Sequence, residues 1–93
     1  IMLPADITRR IAKDYADAHE RLSVTRAIAG LWSTSLNVGC EQLARSILYL
    51  AEGRVSEVKN LCTHLMGDPR DVIQAAEDKA GNPGHYFGEP FEE

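Results

Sequence analysis

The apolar residues of this 93-residue chain recur at steps of three and four, and the runs end at Gly53, Gly67 and Gly81. That spacing stacks side chains on one face of an α-helix, whereas a half-buried strand would alternate them at every second position. No stretch alternates in that way. The pattern therefore predicts an all-α fold, and the remaining question is where each helix starts and stops.

Leu3, Ile7, Ile11, Tyr15, Ala18 and Leu22 form the first stripe, with Arg9, Arg10, Lys13, Asp14, Asp17 and Glu20 between them. They predict a helix over 5–21, with Pro4 in the opening turn and Asp6 complementing the positive end of the helix dipole. Asp6/Arg10, Arg10/Asp14 and Lys13/Asp17 fall at i,i+4 and read as a solvated face. Ser23 is a candidate cap for a second helix over 24–35 that carries Val24, Ala27, Ile28, Leu31 and Trp32. Residues 33–39 are poor helix formers, which favours a break near 35–39. Against that break, the seam Ala29, Trp32, Leu36, Cys40, Leu43, Ile47, Leu50 keeps helical spacing and would permit one helix over 24–52.

The segment 39–52 is apolar around more than half its circumference, so it must be central to the fold or covered by a partner. Gly53 ends it. Val55, Val58, Leu61, Cys62, Leu65 and Met66 predict a fourth helix over 54–66, hairpinned on the third because the connection is short. Asp68-Pro69-Arg70-Asp71 combines an N-cap, a proline at N1 and an acid in the first turn. The fifth helix is expected over 69–80, and Asn82-Pro83-Gly84 forbids its continuation. The expected architecture is a compact bundle of four to five helices spanning 2–84, with an extended aromatic and acidic C-terminal tail over 85–93. Its core should contain Ile7, Ile11, Tyr15, Ile28, Trp32, Leu43, Ile47, Leu50, Val58, Leu61, Leu65, Val72 and Ile73.

A hydrophobic content of 44% with 26% charged residues fits an ordinary globular domain. The net charge of -4 repels phosphate backbones and anionic lipid, which disfavours nucleic acid and membrane as partners. No run approaches the roughly 20 apolar residues of a membrane span, and residues 1–6 lack the features of a secretory signal, so the cytoplasm is the expected compartment.

Catalytic and metal chemistry find no scaffold in the sequence. His19, His64 and His85 form neither HxxxH nor HExxH, and Cys62 and His64, two apart on a helix, diverge. No metal or cofactor is expected. A hairpin turning at Gly53 would stagger Cys40 and Cys62 by roughly 6 Å, which argues against a disulfide. Ser33, Ser35 and Ser46 sit in no Gly-x-Ser-x-Gly elbow, and Gly81-Asn82-Pro83-Gly84 matches no phosphate-binding fingerprint. A helix-turn-helix over 41–66 fails at Tyr49, Lys59 and Cys62, and its basic residues Arg45, Arg54 and Lys59 are offset by Glu41, Glu52 and Glu57.

The function expected from these readings is a non-enzymatic protein-protein interaction or regulatory module that pairs as a homodimer. A helical ligand-binding or enzymatic subunit, its site completed by another chain, ranks second, and a DNA-binding regulator last. Leu48 and Tyr49 lie on the flank of helix 39–52 away from its core face, near Trp32, and make the first candidate interface. Tyr86, Phe87 and Phe91 make the second: these rings either fold back over the helices or dock on a partner.

Overall fold

The computed structural model describes residues 3–33, 39–64, 68–81 and 87–91. Among them are five α-helices, α1 (Ala5–Asp14), α2 (Ala18–Ala29), α3 (Cys40–Ala51), α4 (Val55–His64) and α5 (Pro69–Ala80), a 3-10 turn at Gly30–Ser33, and no strand. Leu36, Leu65, Met66, Gly67, the Asn82-Pro83-Gly84 stop, His85 and Tyr86 lie outside the described residues, as does the His64 side chain.

The first helix ends earlier than its apolar stripe predicts. Asp17 caps α2, its carboxylate accepting from the Glu20 backbone N–H at 3.0 Å. An Asp with Glu three residues on is a capping-box pattern, and it starts a new helix in the middle of the 5–21 stripe. Ser23 is therefore inside α2 and not its cap. The rotation at this junction leaves Ala18 exposed and Leu22 48% exposed, although both continue the stripe of α1.

The separate α2 and α3 replace the single helix that the seam over 24–52 would allow. The α-helical part of α2 stops at Ala29 and tightens into the 3-10 turn, short of the expected end at 35. Further along, the sequence signals hold. The Asp68 side chain accepts from the Arg70 N–H at 3.0 Å, Pro69 occupies the first helical position, and Gly81 closes α5 at φ 66°.

Helix α3 is the centre of the molecule. It packs most extensively on α5 and also touches α4 and α1, while α2 pairs with α4 and α1. Ile7, Ile11, Tyr15, Ile28, Leu43, Ile47, Val58, Val72 and Ile73 are buried as expected, joined by Val24, Leu31, Ala44, Leu48 and Ala51. Trp32, Leu50 and Leu61 are only partly buried against this cluster.

The described part of the C-terminal segment is not extended away from the bundle. Phe87 is 1% exposed and Phe91 packs against the core, so residues 87–91 lie over α1 and α3. Two large rings close to a helical surface remove more apolar area from water when folded back than when left in solution.

Candidate functional site

Arg45 lies within the apolar run of α3, and its position in the helix directs it inward, where it is 2% exposed. A guanidinium so placed requires an opposite charge and a full set of acceptors. Asp6, in the first turn of α1 and 5% exposed, supplies the charge. Arg45 donates from Nε to Asp6 Oδ2 at 2.9 Å and from Nη2 to Asp6 Oδ1 at 3.0 Å, the bidentate fork that guanidinium and carboxylate favour. Glu41, one turn earlier on α3, stands 3.6 Å from Nη2 at the solvent edge.

Further hydrogen bonds of the pair go to the main chain of the C-terminal segment. Arg45 Nη1 donates to the carbonyls of Phe87 at 3.2 Å and Gly88 at 3.0 Å. The Phe91 backbone N–H donates to Asp6 Oδ2 at 3.2 Å. Two rings complete the clasp. Phe87 lies against Tyr49 with centroids 5.1 Å apart and planes tilted by 56°. The Arg10 guanidinium stands 4.5 Å from the Phe91 centroid while its Nε holds Asp14 at 2.8 Å.

The electrostatics follow from this geometry. The Arg45 hydrogen bonds hold the Asp6 carboxyl below its ordinary value of 3.8, opposing the upward push of burial, and Asp6 in turn raises Arg45. Because the folded-state value of Asp6 is depressed, its contribution to stability is present above pH 3.8 and is lost as the pH falls through the lower folded value.

The six residues expected at an interface separate on this surface. Tyr49 and Phe87 are brought together, Phe91 lies against Arg10 of α1, and Tyr86 lies outside the described residues. Leu48 is 0% exposed, enclosed by its own chain, so it presents no surface to a partner. Trp32 lines a neighbouring cleft of about 370 Å³ with Gly39, Cys40, Glu41, Gln42 and Gly88. Tyr49 also carries Lys79 over its ring at 5.5 Å, and Lys79 is ion-paired with Glu52.

Asp6, whose i,i+4 spacing to Arg10 places it on a solvated face, is instead buried, and so is Arg45, which the sequence marks only as one of three basic residues offset by acids. The signal for Arg45 was its place in a helix too apolar to leave one flank in water. The identity of its partner, 39 residues away, was encoded by no local pattern.

Among the described residues no group of three or more His, Cys, Asp or Glu side chains gathers as a metal site, and no helix is long and apolar enough to cross a membrane. Both cysteines are free. Burial pushes the Cys62 thiol up to about 11, which keeps it protonated and a poor nucleophile at neutral pH. No family model, characterised protein or solved structure matches the chain.

Proposed function

We propose that this chain is a non-enzymatic interaction module that docks a turned peptide segment on its α1/α3 face, and that it self-associates by taking this segment from a second copy. The observation that supports this reading is the use of Arg45 and Asp6: they bind the main-chain carbonyls and N–H of a five-residue segment while two ring contacts anchor its ends. Main-chain hydrogen bonds combined with side-chain pockets are a recurrent way of recognising peptide segments.

Self-association follows because each copy carries both the face and the segment. The exchanged pair reproduces the contacts of the closed chain, so it forms as protein concentration approaches that of a tethered tail, of millimolar order. Two measurements test the reading. In an amide-resolved NMR titration, a synthetic peptide of residues 85–93 is expected to shift resonances around Asp6, Arg10, Arg45 and Tyr49, and the absence of shifts at millimolar peptide would refute docking. In sedimentation equilibrium the average mass should rise with concentration above the monomer value of 10.3 kDa. A constant monomer mass up to the millimolar range would remove self-association.

A further inference from the structure

The occupant of the α1/α3 face is joined to the same chain, and this changes what the face can do. We infer that residues 87–91 are an autoinhibitory strap, and that the partner they hold off is a turn-forming protein segment carrying two aromatic side chains four residues apart. This inference rests on the docking reading above and adds its specificity and its control.

The specificity comes from what the face contacts. Arg45 reads the carbonyls of the first and second residues of the strap, and Asp6 reads the N–H of the fifth. Every segment offers those carbonyls, and every residue but proline offers that N–H, so the main-chain contacts set the course of the segment and exclude proline at the fifth position. Side-chain choice enters at the ends, through the Phe87 ring against Tyr49 and the Phe91 ring beneath Arg10. Glu89 and Pro90 between them are exposed, which leaves the middle of the segment unconstrained by the core.

Control comes from the tether and from the unequal burial of the two anchors. Phe87 is enclosed, whereas Phe91 is only partly covered, so release begins at the Phe91 end. A tethered segment competes at an effective concentration of millimolar order, and a free segment therefore sees its affinity reduced by the fraction of time the face is open. A partner must bind better than the strap to occupy the face at micromolar concentration.

The test uses the full chain and, as probe, a fluorescein-labelled synthetic peptide of residues 85–93 followed by anisotropy. Phe91→Ala, which removes the less buried anchor, is expected to bind the probe at least ten-fold more tightly than the wild type, and a probe with both phenylalanines replaced by alanine should bind neither. Phe87→Ala should show a larger gain. Circular dichroism checks that its helices persist, and should they not, the Phe91→Ala comparison still decides the matter. Equal affinity for wild type and Phe91→Ala would overturn the strap while leaving docking intact. The absence of saturable binding to every variant would overturn the docking reading and the strap with it.

Discussion

Tyr15 is 1% exposed, and its hydroxyl has no hydrogen-bond partner among the described residues. Burial, reinforced by the charge of Asp14, pushes its pKa up to about 12 from 10.0. An unpartnered buried hydroxyl costs about 1–3 kcal/mol, so Tyr15→Phe should keep the ring packing and raise stability at neutral pH by about 1 kcal/mol in urea unfolding. A loss of similar size would show that the hydroxyl is satisfied. Since the folded value is raised, the protonated form contributes stability that is complete below pH 10 and is lost as the pH rises toward 12. Tyr15→Phe should remove that alkaline loss. The buried apolar residues were largely legible in the sequence, because period alone marks an inward position. Period could not identify Arg45 and Asp6 as buried, because a charge at an inward position is tolerated only through a partner that tertiary structure supplies.

Helix boundaries follow from caps more closely than from apolar stripes. The stripe over Leu3–Leu22 continues through a real break because Asp17 and Glu20 start α2 while Tyr15 and Val24 still face the core. At the α3–α4 junction the glycine signal was legible and its reason was not. Glu52 already adopts a left-handed conformation at φ 50°, and Gly53 follows at φ 78°. A Cβ on Gly53 would also lie 3.3 Å from the Asp14 carbonyl oxygen, where the end of α1 meets the turn. Gly53→Ala should therefore lower stability by about 1–2 kcal/mol from backbone strain alone, read as a fall in the urea midpoint. An unchanged midpoint would mean that the turn has another conformation open to it.

Across the whole molecule, the all-helical architecture and most of its core follow from the spacing of apolar residues. The course of the C-terminal segment did not, because three aromatic residues without a period are compatible with solvent, a partner or the chain's own surface. The deciding contacts span the chain: Asp6 meets Arg45 across 39 positions and Phe91 across 85. Contacts of that range carry no local signature, yet here they define the face on which function is proposed. The proposed face requires Asp6 and Arg45 to act as one buried unit that holds this segment. A double-mutant cycle with Asp6→Asn and Arg45→Gln, read by urea unfolding at neutral pH, measures that dependence. Each single substitution should cost about 3 kcal/mol, since it leaves the other charge buried without its partner. The double variant should be at least about 2 kcal/mol more stable than the sum of the two losses predicts, whereas additivity within about 0.5 kcal/mol would mean that the two residues do not act as one unit.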